Sequence, residues 1–462
     1  MNIIHNELIK FLNQSQQSYE YIPPKDIYLS TLCDIDLLIE AFNKIKKCNG
    51  WKTKTQQFQI KLLKNVTIMH NDILNLKYKV NNGGKFFLNE GGKIRIIKTL
   101  ELKDMIFQHV LNDNILLPEL KKYIMYDNGA SLKNKGISFT RKRFEKHLKR
   151  FIKQHNTNGY ILFIDFRRFF DNIHHEKMKQ FYHEKINNQY IDFYLNEIFK
   201  HYEVDMSYYE NYDINDIFNS VEHESLTRNY KSKTPIYMQK SLGVGSPISQ
   251  LSGLLYPFFI DTYIKIVKQQ KLYGAYMDDR YLIHHDKNFL KQILLEIKEI
   301  AKCYGIHINE KKTKIVKLTR EFTFLKTRYI IKNKKIIRKI PKSTLKREKQ
   351  KVKKLANLVK NGKLTFSDFR VCYMGWIGDK SWYDSYKEVQ RVNKVYQDVK
   401  NDLIQDGKNI INSAYDLESL SLYIKWRGDR KFAPLDKFYK KKKKRFENLD
   451  LLYKEGYVKK RD

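Results

Sequence analysis

Apolar positions recur at helical spacing through residues 1 to about 80, as in Ile35, Leu37, Leu38, Ile39, Ala41, Phe42 and Ile45, so this stretch reads as a helical N-terminal region. The pattern then changes. Asn81-Asn82-Gly83-Gly84 and Gly91-Gly92 are turn signals on either side of Lys85-Phe86-Phe87-Leu88, and Lys93-Ile94-Arg95-Ile96-Ile97 follows the second turn. That arrangement predicts a hairpin with a basic second strand. Leu100 to Leu120 returns to helical periodicity, and a polar loop from Asp127 to Gly136 opens a long basic helix running to about Gln154. Tyr160-Ile161-Leu162-Phe163-Ile164 is unbroken and apolar, a buried strand that ends on Asp165. Between about 201 and 232 the chain turns acidic, Tyr-rich and poor in apolar runs, the mark of an insertion or flexible lobe. Lys342 to Lys360 places Leu345, Val352, Leu355, Leu358 and Val359 among lysines, with Ser343 or Thr344 as N-cap and Gly362 as stop. This predicts an amphipathic helix with one packed face and one basic face.

Length and charge narrow the partners. A chain of 462 residues, 42% hydrophobic and 14% aromatic, buries a large core and suggests about two to four domains. The 88 Lys and Arg against 51 Asp and Glu give a formal charge of +37, which points to a polyanion, nucleic acid first. An AT-rich genome would favour Lys over Arg without making acids scarce. The run Lys440 to Arg445 reads as a solvated basic tail. Cys33, Cys48, Cys303 and Cys372 lack the paired spacing of zinc or disulfide frameworks and read as reduced thiols. Met1 to Glu7 has no basic start followed by an apolar core, and no stretch approaches the length of a membrane span. The expectation is a cytoplasmic protein without a membrane partner.

Candidate chemistry lies in two acidic sites. Tyr276-Met277-Asp278-Asp279 falls between apolar runs, which places two carboxylates at a hairpin tip where neither is expected to pair along a strand. By itself, Asp-Asp in a turn is usually only a turn. The second site, Ile164-Asp165-Phe166-Arg167-Arg168-Phe169-Phe170-Asp171, adds an acid at the end of a buried strand. Phosphoryl transfer to a 3′-hydroxyl uses two Mg²⁺ roughly 4 Å apart. Mg²⁺ takes a few carboxylates plus substrate phosphates, so acids from two converging strands form a sufficient donor set.

These motifs resemble those of the reverse transcriptase family. Tyr276 to Asp279 is similar to its third palm motif and Asp165 to Asp171 to its first. Leu242-Gly243-Val244-Gly245-Ser246-Pro247-Ile248-Ser249-Gln250 is similar to the second, Tyr304 to Thr313 to the fourth, and Phe322-Thr323-Phe324-Leu325 to the primer grip. The resemblance spans about residues 85 to 400 and implies an α+β, right-hand polymerase. Residues 1–80 would be a helical N-terminal region, 81–159 fingers, 160–335 an antiparallel palm with a fingers insertion at about 195–235, 336–400 a helical thumb and 401–462 a basic extension. It implies Asp165, Asp278 and Asp279 as catalytic residues and metal ligands, with the Phe166 carbonyl as a further ligand. The ions would be two Mg²⁺, with Mn²⁺ as substitute. Lys312 would protonate the departing pyrophosphate. Lys93 and Arg95 would clamp the triphosphate, Phe170 would exclude a ribose 2′-hydroxyl, and Gly245, Ser249 and Gln250 would approach template and nucleotide, although Ser249 and Gln250 could equally cap a helix.

The implied partners are an RNA template, dNTPs and a cDNA product; the sequence leaves open whether the chain self-associates. Where group II intron and retron enzymes carry Pro-Gln-Gly at the start of the second motif, this chain has Gly243-Val244-Gly245. That departure is similar to diversity-generating and defence-associated reverse transcriptases, so the expectation is a phage-defence enzyme copying a structured non-coding RNA, with a diversity-generating or retron-like enzyme as the alternative. An RNA-dependent RNA polymerase would want a small or polar residue in place of Phe170, and a non-catalytic scaffold would not need all three acids. Trp376 and Trp382 suit either thumb core or base stacking, core being the favoured reading.

Overall fold

The computed structural model describes residues 26–81, 83–90, 93–205, 237–243 and 245–413. Most of the acidic, Tyr-rich stretch and the Lys440 to Arg445 run lie outside the described residues. The fold is α+β and comprises two compact units, Met1–Gln154 with Gly159–Val316, and His155–Asn158 with Lys317–Asp462.

In the first unit, helix α1 (Ile27–Cys33) starts where the Asp26 carboxylate accepts from the Tyr28 and Leu29 amides, and α2 (Ile35–Asn49) starts on Asp34 in the same way. Leu38, Ala41, Phe42 and Ile45 of α2 are buried, a three-four spacing that lines one helical face. Helices α3 (Thr53–Ile60) and α4 (Leu62–Leu74) follow. The expected hairpin forms from β1 (Lys85–Glu90) and β2 (Lys93–Lys98), antiparallel from Lys85↔Lys98 to Glu90↔Lys93. Helix α5 (Leu102–Val110) runs through a π-helical segment, Leu111–Leu116, into α6 (Leu117–Leu120), and the basic helix α7 spans Ile137–His155.

The central sheet is built from β3 (Tyr160–Asp165), β6 (Tyr273–Tyr276), β7 (Asp279–His284) and β8 (Lys314–Lys317), in the order β6-β7-β3-β8. Ile161, Leu162, Phe163 and Ile164 are all buried, because β3 is a central strand whose alternating side chains enter the core on both faces. Helices α8 (His175–Ile186), α9 (Gln189–Tyr202), α10 (Pro247–Leu255), α11 (Phe258–Thr262) and α12 (Lys287–Cys303) complete the unit, with a short pair β4 (Val204–Asp205) and β5 (Tyr237–Met238). Helix α9 corrects the expected start of the insertion near 195. Tyr194, Leu195, Ile198, Phe199 and Tyr202 are fully buried, so residues 195–202 are core helix.

The second unit opens with an antiparallel meander of β9 (Phe322–Phe324), β10 (Thr327–Lys332) and β11 (Lys335–Lys339). Helices α13 (Lys342–Lys360), α14 (Phe366–Gly378) and α15 (Tyr386–Ser413) pack around Val352, Val359, Phe369, Val392 and Tyr396, with Tyr373 and Tyr396 stacked at 3.7 Å. Helix α15 runs past residue 400, where the thumb was expected to end. The cap of α13 is Pro341 without a side-chain bond, ahead of the expected Ser343 or Thr344, because proline's fixed φ suits a helix start. Gly362 follows that helix at φ 65, as its role as stop requires. Lys353 and Lys354 are exposed on α13. Trp376 packs against the helical core and Trp382 lies under the Arg338 guanidinium at 5.1 Å. Among the described residues no helix is long and apolar enough to cross a membrane.

Candidate active site

The acids meet through strand register. Asp165 ends β3 and pairs across the sheet with Asp279, the first residue of β7, while Asp278 occupies the preceding turn. Asp279 also closes the β6–β7 hairpin opposite Tyr276. This corrects the expectation that neither acid pairs along a strand: Asp279 pairs on both sides, and only Asp278 sits in the turn. The two-residue turn needs a positive φ at its first position, which Met277 adopts at φ 55.

A neighbouring segment fixes Asp165. Its carbonyl accepts from the Asn309 amide at 2.8 Å and Arg167 donates to the His307 carbonyl at 2.7 Å. These bonds flank the bridge Phe166↔Ile308 and make it a non-hydrogen-bonded pair, so the Phe166 carbonyl points away from Ile308, to the side on which the β6–β7 turn lies. The Phe166 ring is buried. Both Asp165 carboxylate oxygens are engaged: Oδ1 accepts from Asn309 Nδ2 and Oδ2 from Lys312 Nζ, each at 2.7 Å. Lys312 is therefore the lysine of its cluster that reaches the acids. In the sequence Asn309 is only one letter of a motif, and nothing in its spacing distinguishes it.

The acids repel one another. Burial and the charge of Asp165 raise the Asp278 pKa, and burial with the charges of Asp278 and Asp165 pushes Asp279 up to about 6. Burial works against the Lys312 ammonium, but its bond to Asp165 and the surrounding carboxylates outweigh that and raise its pKa. An all-oxygen donor set whose charges repel fits a hard divalent cation, which would relieve the repulsion. Among the described residues no three His, Cys, Asp or Glu side chains already converge at ligating distance; Lys312 is the cation that Asp165 contacts.

The expected nucleotide-binding residues divide. Phe170 is partly exposed and Phe169 is buried among Phe166 and Tyr256. The segment is not extended but enters a 3₁₀ turn, Phe170–Asn172, so the two rings diverge by helical rotation and not by strand alternation. A Cβ on Gly253 of α10 would meet Phe170 Cε1 and Met277 Sδ at 3.0 Å, so the glycine lets that ring and the acid hairpin close on the helix. Gln250 is exposed on α10, and Gly245 adopts φ 117, a conformation strained for any other residue. Ser249 is fully buried and its Oγ accepts from Ser246 Oγ at 2.9 Å, so its hydroxyl faces protein. Ser246, not Ser249 or Gln250, caps α10 by accepting from the Ser249 amide. Lys93 and Arg95 lie two apart on β2, in register with Glu90 and Leu88 of β1.

Beside Gln250 opens a cavity of about 1090 Å³, lined among the described residues by Lys44, Lys52, Lys54, Lys98, Lys103 and Lys133 and by two acids, Glu101 and Asp113. Its walls come from α2, the α3 start, the foot of the β1–β2 hairpin, α5 and α10. The basic N-terminal contribution was not legible from sequence, because those lysines sit on an ordinary amphipathic pattern.

A polymerase fold class with its acids joined by strand register is thus in place. The profile of the reverse transcriptase (RNA-dependent DNA polymerase) family matches residues 87–329, and the chain belongs to that family. Enzymes of the family use divalent metal ions. No curated protein sequence matches the chain. Among solved structures, a telomerase from Candida albicans in complex with a fragment of telomeric RNA aligns at 14% identity and a TM-score of 0.38, covering 76% of this chain and 60% of that one. An apo telomerase from Candida tropicalis aligns at 12% identity and a TM-score of 0.37, covering 75% and 62%. The chain spans about three fifths of the length of these telomerase chains.

Proposed function

We propose that this protein copies RNA into DNA by two-cation nucleotidyl transfer, with Asp165, Asp278, Asp279 and the Phe166 carbonyl holding Mg²⁺. The observation that carries this reading is the Asp165↔Asp279 register pair beside Asp278 at the turn. Bound cations would activate the primer 3′-hydroxyl and neutralise charge on the transferring phosphates. Lys93 and Arg95 grip the triphosphate from the hairpin. Lys312, held protonated beside Asp165, is placed to give a proton to departing pyrophosphate. Phe170 stands under the sugar, and the lysine-lined cavity next to Gln250 receives the RNA strand. The departure at Gly243-Val244-Gly245 fits defence-associated and diversity-generating enzymes alike, and the extra regions on either side of the family match favour a defence-associated enzyme using a structured non-coding RNA.

Primer extension tests this directly. The full chain with an RNA template, a DNA primer and Mg²⁺ incorporates dNTPs; preference for rNTPs, or no extension with any primer, overturns the reading. Sequencing the nucleic acid that copurifies with the protein identifies the template, and random cellular RNA would count against a dedicated partner.

RNA should be held largely through phosphates. Affinity then falls log-linearly with salt, and replacing Lys52 and Lys133, or Lys353 and Lys354, with Ala reduces the slope by about one for each phosphate that is no longer neutralised. The weakening is uniform across RNA sequences. Filter binding at several salt concentrations reads this, and an unchanged slope would remove these lysines from the RNA path.

A further inference from the structure

Strand β7 carries an arginine where its neighbours are apolar. Arg280 is 1% exposed, between Asp279 and the buried run Tyr281-Leu282-Ile283. A guanidinium buried this deeply is strongly destabilising unless its charge is paired. Its Nε donates to Asp261 Oδ1 on α11 at 3.2 Å, and Nη1 donates to the Met277 carbonyl at 2.7 Å. Its Cζ lies 4.4 Å from the centre of the Phe166 ring. Asp261 is itself held by Tyr273 Oη at 2.6 Å, from the other strand of the hairpin.

One side chain thus touches the turn residue of the acid hairpin, the residue after Asp165, and a helix behind both. Met277 needs such a hold, since a non-glycine residue at φ 55 persists only where its surroundings over-determine it. The backbone amide of Met277 is held only weakly, reaching Asn128 Oδ1 at 3.4 Å, near the limit for a hydrogen bond.

We propose that Arg280 is the positioning residue of the acid hairpin: by bracing the Met277 carbonyl against Asp261, it sets where Asp278 and Asp279 stand relative to Asp165 and so how tightly they hold divalent cations. This rests on the proposed function for the identity of the three acids as ligands. Arg280 touches no substrate; it acts through the turn, as residues that orient metal ligands do.

The test is Mn²⁺ binding to the full chain by electron paramagnetic resonance, without nucleotide, alongside primer-extension kinetics and melting. Arg280→Lys keeps the charge, but its single ammonium cannot reproduce the planar fork that spans Asp261 and Met277. Asp261→Asn keeps the shape and weakens the brace from the far side. Each variant is expected to weaken Mn²⁺ binding by about 10- to 100-fold. kcat falls with it while the dNTP KM changes little, since the triphosphate grip is elsewhere. Combining the two adds little to the worse single change, because both break one brace.

A merely structural arginine would lower the melting temperature while leaving Mn²⁺ affinity and the kcat of folded protein unchanged. That result in both variants overturns the proposal; if Arg280→Lys does not fold, Asp261→Asn decides. Asp278→Ala separates the two readings. If it abolishes Mn²⁺ binding while both brace variants bind as wild type does, only the brace fails. If wild type binds no Mn²⁺, both readings fail.

Discussion

Replacing Asp278 and Asp279 with Ala lowers Mg²⁺-dependent dNTP incorporation by at least about 10³-fold while the protein stays folded. Asp165 alone remains, and its two oxygens are already engaged by Asn309 and Lys312. Retained incorporation in a single-nucleotide extension assay would remove these residues from the reaction. The milder Asp279→Asn change reads out the repulsion. The Asp279 pKa of about 6 lies above the ordinary carboxyl value, so the native state binds the proton more tightly than the unfolded chain does. Ionising this group therefore costs stability. That cost is absent near pH 3, grows as pH rises from about 4 to 6, and is complete above about 6. Without divalent metal, Asp279→Asn should melt higher than wild type at pH 7.5, with the gap closing at pH 4. Differential scanning fluorimetry across that range checks it, and a gap independent of pH would refute the assignment.

Phe170→Val should raise rNTP incorporation relative to dNTP by about 10- to 100-fold, the discrimination that filling or opening an apolar pocket supplies. The ring is partly exposed and braced by Gly253 and Met277, so shortening it opens space on the side of the acid hairpin while an apolar wall remains. The packing cost is about 1–2 kcal/mol, less than for a fully buried ring. Phe169→Val is the control. It lies in the core against Phe166 and Tyr256, so it should destabilise more and leave sugar choice unchanged. Paired competition assays with both nucleotides measure the ratio. Relaxed selectivity in Phe169→Val alone would mean that the neighbouring ring is the gate.

What the sequence determined by itself was local. The apolar run 160–164, the acid that ends it, the hairpin around Asp278, the Gly-rich entry to a helix and the amphipathic basic helix 342–360 are each set by residue chemistry within a few positions, and these elements form where expected. The order of these motifs carried the family. What only the tertiary structure decided depended on register and on burial contributed by distant segments. Asp165 and Asp279 are neighbours because β7 pairs with β3 without an offset, which no local pattern encodes. Ser249 turned inward, where the hydroxyls of Ser246 and Tyr202 meet it, a burial contributed by residues that its position in the motif does not reveal. Residues 195–202 read as the start of an insertion, yet five aromatic and aliphatic side chains of α9 fill the core from Tyr194 to Tyr202. Arg280 looked like one more cation in a chain of +37. Only the packing of β7 against Phe166 and α11 shows that this cation, unlike the solvated lysines, is sealed behind the acids and fixed by Asp261.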